Sequence, residues 1–216
     1  MAVVKKIMII EDHPLFSKGL CSLINSREDY NVVGEAKDSK EALKLAAEGE
    51  PDLAILDLNL GNEDGLDLLK EMRRRFPKIA VLVLSMHDER YYAERVLKAG
   101  GRGYIMKTEA GNKVIEASET VLAGKIYFSE AQRERLAGYL ETGGERPVPV
   151  ETLSDRQFQV FNLLGKGLGT VEIAAKLKLS AKTIDTHKEH IKDKLRCNTA
   201  QELKQLAIEW VNRSAG

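Results

Sequence analysis

Five short apolar segments, each followed by a stretch with helical periodicity, constrain the fold of residues 1–125 more than any other feature of the sequence. The first segment ends in the run Ile-Met-Ile-Ile at residues 7–10, without the polar alternation of a strand that faces water on one side. Strands that alternate with helices of this length predict an α/β fold, in which helices cover both faces of a parallel sheet. The predicted strands are residues 3–10, 30–36, 53–56, 80–84 and 103–106, and the predicted helices are residues 14–25, 39–47, 65–75, 88–99 and 112–123.

The strand signals end near residue 125, and the rest of the sequence predicts helices only. Residues 142–149 hold two Gly and two Pro, a composition typical of a linker, and a helix over residues 130–141 would belong to the same region. We therefore predict a domain at residues 1–125, a linker at 126–149 and a small all-α domain at 150–216. Its four helices are predicted at residues 154–166, 170–178, 180–195 and 199–211.

The net charge of zero hides a difference between the two ends of the chain. Residues 1–131 contain 19 Lys and Arg against 22 Asp and Glu, whereas residues 149–216 contain 11 against 8. The first part therefore carries a net charge of −3 and the last part a net charge of +3. This asymmetry suggests that only the C-terminal domain binds a polyanion.

No apolar run in the sequence reaches the length of a membrane span, and the start lacks the apolar stretch of a signal peptide. These absences predict a cytoplasmic protein with no membrane partner. The two cysteines, Cys21 and Cys197, lie far apart in the sequence and form no motif. We expect both to be free thiols in a reducing compartment.

Charged and polar side chains lie where four of the predicted strands end. Glu11 and Asp12 follow the first strand, Asp57 follows the third, Ser85 follows the fourth and Lys107 follows the fifth. Because the carboxyl ends of parallel strands share one edge of a sheet, we expect three carboxylates to meet one hydroxyl and one ammonium. A hard cation such as Mg²⁺ offsets the repulsion among carboxylates and also binds phosphate. One carboxylate can then act as a nucleophile toward a phosphoryl group.

This ordered set of residues resembles the receiver domain of two-component response regulators, over residues 3 to 123 or so. The matching positions are Glu11, Asp12, Asp57, Gly65 at the start of the third helix, Ser85, Tyr104 and Lys107. Any one of these residues is common by chance, but all of them in this order and spacing form a specific signal. The resemblance implies a flavodoxin-like, doubly wound sheet of five parallel strands.

The resemblance also implies a role for each matching residue. Asp57 would accept a phosphoryl group from a sensor histidine kinase, and Ser85 and Lys107 would contact that group. Tyr104 would rotate inward with Ser85 on activation. The Mg²⁺ ligands would be Glu11, Asp12, Asp57 and the backbone carbonyl of Asn59. His13 is not expected to join them, because the sequence places no other His or Cys nearby and oxygen ligands suit this site better.

In the C-terminal domain, a short break between the second and third predicted helices suggests a helix-turn-helix. Ser180 is placed to cap the third helix through its hydroxyl. The residues that fall on the inner face of that helix, at 3-4-4 spacing, are Ile184, His187, Ile191 and Leu195. Trp210 in the last helix could complete the core of the domain or form a dimer contact.

Residues 150–213 resemble the LuxR-type helix-turn-helix of NarL/FixJ regulators, with the best match at Lys-Thr-Ile-Asp-Thr-His, residues 182–187. The entry to the domain departs from the family, which usually has Glu at positions 157 and 159, where this chain has Gln157 and Gln159. The family also has an Asn followed by Lys or Arg where Thr170 and Val171 stand, and this change puts one phosphate contact in doubt.

By this resemblance, the third helix of the domain enters the major groove of double-stranded DNA. The side chains expected at base edges are Asp185, Thr186 and Glu189. The side chains expected mainly at phosphates are Lys182, Thr183, Lys188 and Lys192.

Taken together, the two resemblances imply a transcriptional regulator rather than an enzyme. Its expected partners are a histidine kinase, promoter half-sites, a second copy of the chain after phosphorylation, and RNA polymerase. The main alternative is a phosphorylation-independent regulator whose receiver acts only as a dimerisation scaffold, although such a scaffold would be expected to lose residues of the acidic site. A phosphatase would need an acid where Asn59 stands. A sensor of a lipid signal would need an apolar pocket domain, and would leave the acidic site unexplained.

Overall fold

A computed structural model of the protein describes residues 4–61, 63–86, 89–130, 132–134 and 149–215. The chain divides into two compact units, Met1–Gly144 and Glu145–Gly216. Residues 130 and 132–134 are helical, and the rest of the helix predicted over residues 130–141 lies outside the described residues. The boundaries predicted for the linker therefore stay a prediction.

The first unit is built on a parallel sheet of five strands, which confirms the predicted flavodoxin-like fold. The strands in chain order are β1 (Lys5–Ile10), β2 (Tyr30–Ala36), β3 (Leu53–Leu56), β4 (Ala80–Ser85) and β5 (Gly103–Met106). Their order across the sheet is β2-β1-β3-β4-β5. Residues 7–10 at the end of β1 are completely buried, as their unbroken apolar run predicts for a central strand.

Five helices cover the two faces of this sheet. They are α1 (Pro14–Asn25), α2 (Ser39–Gly49), α3 (Gly65–Arg75), α4 (Glu89–Lys98) and α5 (Ala110–Leu122). One core layer joins Leu20 and Ile24 of α1 and Val114 of α5 to alternate strand residues such as Ile7 and Ile9. The residues between them, such as Met8, are equally buried on the other face.

The chain that follows α5 returns to the open edge of β5. Tyr127 pairs with Gly103 in the parallel sense, and the Tyr104 N–H donates to the Tyr127 carbonyl oxygen over 2.9 Å. Phe128 is buried, and the Ser129 N–H donates to Glu89 Oε1 at the start of α4, also over 2.9 Å. This segment, which lies at the start of the predicted linker, therefore covers the last strand of the sheet.

The second unit consists of four helices over its described residues, as predicted. They are α6 (Asp155–Gly165), α7 (Thr170–Leu177), α8 (Ala181–Leu195) and α9 (Ala200–Ala215). A Cβ on Gly165 would lie 2.4 Å from the Ala207 carbonyl oxygen, so the end of α6 packs directly on the backbone of α9. The Trp210 ring meets the buried Phe158 ring edge to face at 6.4 Å, which makes Trp210 part of the core of this unit.

Two further findings concern the described parts of both units. None of their helices combines the length and the apolar character that crossing a membrane requires. Cys21 and Cys197 are both free, as predicted from their separation in the sequence.

Candidate phosphoacceptor site and DNA-binding surface

The register of the sheet brings the predicted site residues to one edge. Ile10 pairs with Leu56, so the next residues along the two strands, Glu11 and Asp57, leave the sheet side by side. The Asp57 N–H donates to the Ile10 carbonyl oxygen over 2.9 Å, which fixes the backbone at this point. The residue paired with Ser85 is Met106, which immediately precedes Lys107.

Lys107 lies between two buried carboxylates. Its Nζ is 2.5 Å from Glu11 Oε2 and 2.8 Å from Asp57 Oδ2, and its side chain is only 7% exposed. The same ammonium lies 4.7 Å from the centre of the Phe16 ring, within the range of a cation–π contact. Sequence reasoning missed Phe16, because helical periodicity predicts that it faces the sheet but not which charge it meets there.

The pKa of Asp57 is raised from 3.8 to about 6. Burial is the largest cause, the charge of Lys107 opposes it, and the charge of Glu11 adds to it. Two carboxylates therefore share one ammonium in a site that water hardly reaches. The excess negative charge is what a bound cation would offset.

One buried carboxylate oxygen of the site, Asp57 Oδ1, has no hydrogen-bond partner among the described residues. Asp12 Oδ1 is also buried, and the His13 imidazole Nδ1 lies 2.8 Å from it. The other carboxylate oxygen of Asp12 accepts from the Gly61 N–H over 2.9 Å. Buried carboxylate oxygens of this kind fit a hard divalent cation, which takes oxygen ligands.

His13, which was not expected among the metal ligands, lies within the acidic group. Its Nδ1 is 2.9 Å from Glu11 Oε1 and 2.8 Å from Asp12 Oδ1, while the side chain is 59% exposed. Its backbone N–H also donates to Glu11 Oε1 over 3.0 Å. Glu11 is therefore engaged at both oxygens, by His13 on one side and by Lys107 on the other.

The remaining predicted residues also lie at this edge of the sheet. The backbone N–H of Asn59 hydrogen-bonds the Asp57 carboxylate, Ser85 is fully buried, and Tyr104 is 2% exposed. The inward movement predicted for Tyr104 would thus start from a ring that is already buried. A Cβ on Gly65 would lie 2.5 Å from Leu58 Cα, so this glycine lets α3 begin directly against the backbone that follows Asp57.

In the second unit, α7 and α8 form the predicted helix-turn-helix. Lys178 ends α7 in the left-handed conformation, with φ of 54°. Ser180 then caps α8 by accepting from the Thr183 N–H over 3.0 Å. His187 is half-buried on the inner face of α8, and its pKa is lowered by burial, by Arg156 and by His190.

The outer face of α8 carries the side chains expected at DNA. Lys182, Asp185, Thr186 and Glu189 are exposed, and Thr183, Lys188 and Lys192 are half-buried. The two acids expected at base edges, Asp185 and Glu189, are each paired with a lysine three residues later, which the sequence analysis did not anticipate. The distances are 3.5 Å for Asp185 and Lys188, and 2.7 Å for Glu189 and Lys192.

The start of α7 lies next to this face. Thr170 Oγ1 donates to Asp185 Oδ1 over 3.3 Å and accepts from Lys188 Nζ over 3.0 Å. Val171, which follows it, is 75% exposed. The position where the family has a basic residue is thus an exposed apolar side chain, next to a threonine that is engaged with α8.

Comparison with known families and proteins covers both units. Residues 7–119 match the response regulator receiver domain, and residues 151–207 match the luxR family of bacterial regulatory proteins. The oxygen regulatory protein NreC of Staphylococcus epidermidis is 34% identical in an alignment of 211 positions, which covers 94% of this chain and 97% of that protein.

Solved structures of similar proteins include complexes with DNA. RcsB from Salmonella enterica serovar Typhimurium, bound to the promoter rprA in the presence of the phosphomimetic BeF3−, is 25% identical with a TM-score of 0.58, over 99% of each chain. A structure of two RcsB dimers bound to two parallel DNAs is 26% identical, also with a TM-score of 0.58, over 99% of this chain and 100% of that one.

Proposed function

The chain belongs to the two-component response regulators with a receiver domain and a LuxR-type DNA-binding domain, and on this basis we propose that phosphorylation of Asp57 by a sensor histidine kinase controls its binding to promoter DNA. The observation that carries the proposal is the buried Asp57 Oδ1, which accepts no hydrogen bond from the described residues. Asp57 Oδ2 is at the same time held by Lys107 at 2.8 Å. One oxygen is anchored and the other is available to react.

In the proposed reaction, Asp57 Oδ1 forms a bond to the phosphorus atom of a phosphohistidine. The bond between phosphorus and nitrogen breaks, and its electron pair stays on the imidazole of the kinase. The Lys107 ammonium offsets charge on the phosphoryl oxygens, and the Ser85 hydroxyl donates a hydrogen bond to one of them. Both groups are buried, so their interactions with the phosphoryl group are little weakened by water.

The ligands that we propose for Mg²⁺ are Glu11, Asp12, Asp57 and the backbone carbonyl of Asn59. When bound, the ion offsets the charge of the carboxylates and of the phosphoryl oxygens. The buried oxygens Asp12 Oδ1 and Asp57 Oδ1 support this assignment. Family receivers bind Mg²⁺ at an acidic pocket of this kind.

For DNA binding, we propose that α8 enters the major groove and that two copies of the chain occupy two half-sites. The DNA complexes and dimers of RcsB support this arrangement. A single small domain makes few contacts, and two linked domains bind more tightly through their effective concentration. RNA polymerase is a further proposed partner at the promoter.

The test is incubation of the full chain with acetyl phosphate and Mg²⁺, followed by intact mass measurement. The parent should gain one phosphoryl group, and Asp57→Asn should gain none. Asp67→Asn is the matched control, since Asp67 is an exposed acid on α3 that pairs with Lys70. A phosphoryl adduct of unchanged yield on Asp57→Asn would contradict the assignment.

The same samples, tested for DNA binding, separate this proposal from the alternative of a dimerisation scaffold. Phosphorylation should raise the affinity of the parent for its promoter and leave that of Asp57→Asn unchanged. If the two proteins bind DNA equally well before and after treatment, the phosphorylation-independent regulator is the better description.

A further inference from the structure

Thr170 of α7 hydrogen-bonds two side chains of α8, Asp185 and Lys188, which are expected to contact DNA. The Lys188 ammonium donates to Thr170 Oγ1 over 3.0 Å, and the Thr170 hydroxyl donates in turn to Asp185 Oδ1 over 3.3 Å. Lys188 also reaches the same carboxylate oxygen directly at 3.5 Å. These three contacts form a closed triangle, in which Lys188 donates, Asp185 accepts, and the Thr170 hydroxyl does both.

The triangle restricts the rotamers of the Asp185 side chain without burying it. An aspartate on the outer face of a helix ordinarily moves among several rotamers. Here the Thr170 hydroxyl on α7 donates to one carboxylate oxygen of Asp185 on α8, while the side chain of Asp185 stays 61% exposed. A carboxylate in this state is oriented in advance and still able to accept a hydrogen bond from a ligand.

Lys188 changes the electrostatics of the same side chain. A lone carboxylate at the surface of DNA repels the phosphates and weakens binding to every sequence. The ammonium of Lys188, with 22% of its side chain exposed, lies behind the carboxylate and offsets much of that charge. The acid can therefore approach a base edge at a smaller electrostatic cost.

We propose that Thr170 is a positioning residue for sequence discrimination, which holds Asp185 so that its carboxylate accepts from a cytosine amino group in each half-site. Asp and Glu recognise cytosine in the major groove in this way. The inference rests on the proposed function, because it requires α8 to enter the groove. It differs from the role of the family residue at this position, which touches phosphate.

The experiment is selection from random double-stranded DNA with the phosphorylated full chain and three variants. Thr170→Val removes the hydroxyl and keeps the shape, Thr170→Ser keeps the hydroxyl, and Asp185→Ala identifies the base that Asp185 recognises. Thr170→Val should lose preference at the same base as Asp185→Ala, by about tenfold, while Thr170→Ser keeps the motif of the parent. A fourth variant that combines Thr170→Val with Asp185→Ala should lose no more base preference than Asp185→Ala alone.

Binding to non-specific DNA tells a positioning role from a phosphate contact. If Thr170 positions Asp185, Thr170→Val should keep the non-specific affinity and the salt dependence of the parent. If Thr170 binds phosphate, the variant should bind all sequences more weakly. That result, or an unchanged motif for Thr170→Val, would overturn the inference. A parent that selects no motif would instead overturn the proposed function.

Discussion

Asp57 is the residue on which the proposed phosphoacceptor site most depends, and burial raises its pKa. Its pKa of about 6, against an ordinary 3.8, means that ionisation is opposed in the folded state and is largely complete at pH 7 to 8. Above that pKa, the folded protein holds two carboxylates beside the single ammonium of Lys107. A charge excess of this kind prepares the site for a cation and weakens the folded state when none is bound.

We expect Asp57→Asn to stabilise the first unit by about 1–2 kcal/mol at pH 7.5 in the presence of a metal chelator, to give about half of that gain at pH 5, and to give little near pH 4. When the pKa of an acid is higher in the folded state than in the unfolded state, the free energy of unfolding falls as the pH rises between those two values, here from 3.8 to about 6. The variant removes that loss and leaves Glu11 to pair with Lys107. Thermal melts at several pH values check it, with Asp67→Asn as the control. A gain that does not depend on pH would contradict the argument.

Gly65 offers a second test at the scale of one residue. We expect Gly65→Ala to destabilise the protein by about 2 kcal/mol and to slow phosphorylation, because its Cβ would lie 2.5 Å from Leu58 Cα and 2.9 Å from the Asp57 carbonyl oxygen. Gly111→Ala is the matched control, since a Cβ there meets nothing within 4 Å and alanine favours the helix. Chemical denaturation and the phosphorylation rate measure both effects. Equal stabilities for the two variants would refute the steric explanation.

The sequence identified the residues of the acidic site, because strand ends can be located from apolar runs and a parallel sheet aligns them. It argued against His13 as a metal ligand and did not identify Phe16 as part of the site. Their contacts depend on how α1 lies over the sheet, and no local pattern encodes that distance. The pairing of Asp185 with Thr170 was missed for the same reason, since it joins two helices across a turn.

At the scale of elements, capping and periodicity predicted most boundaries to within two residues. Pro14–Asn25 and Gly65–Arg75 were predicted without error, while α9 extends further than predicted, to Ala215. The return of Tyr127 to β5 was not predicted, because a single residue pair leaves no period in the sequence. α6 begins with a full capping box between Ser154 and Gln157.

That capping box predicts a gain in stability from one substitution. Gln157 Oε1 accepts from the Ser154 N–H over 3.0 Å and from Lys194 Nζ over 2.8 Å. We expect Gln157→Glu to stabilise the second unit by about 0.5–1 kcal/mol, because the negative charge faces both a helix N-terminus and an ammonium. Thermal melts are the measurement. Repeating the substitution in a Lys194→Met background should remove part of the gain, and a full gain there would exclude the ion pair as its source.

At the scale of the whole molecule, the sequence established the order of the two units from the end of the strand pattern and from the change of charge. Residues 149–216 carry a net charge of +3, yet the outer face of α8 holds two acids paired with two lysines. The attraction to phosphates is therefore modest for one copy of the chain. This balance favours binding by two copies.

We expect phosphorylation to promote a homodimer, whose two linked half-site contacts would raise the affinity for DNA without any new contact. Sedimentation velocity on the parent, with and without acetyl phosphate and Mg²⁺, measures the change, and Asp57→Asn is the control. A phosphorylated protein that stays monomeric while bound to its promoter would disprove this expectation.

The pairing of Tyr127 with β5 decides where this chain can be cut. A receiver fragment that stops at Leu122 would leave β5 as a bare edge, and bare edges invite strands from other molecules. Fragments for spectroscopy, and chimaeras that join this receiver to a different output domain, should keep the chain through Phe128. The same constraint applies to recombination between genes. An exchange upstream of Tyr127 would leave the edge of β5 uncovered in the new protein, and an uncovered edge promotes aggregation.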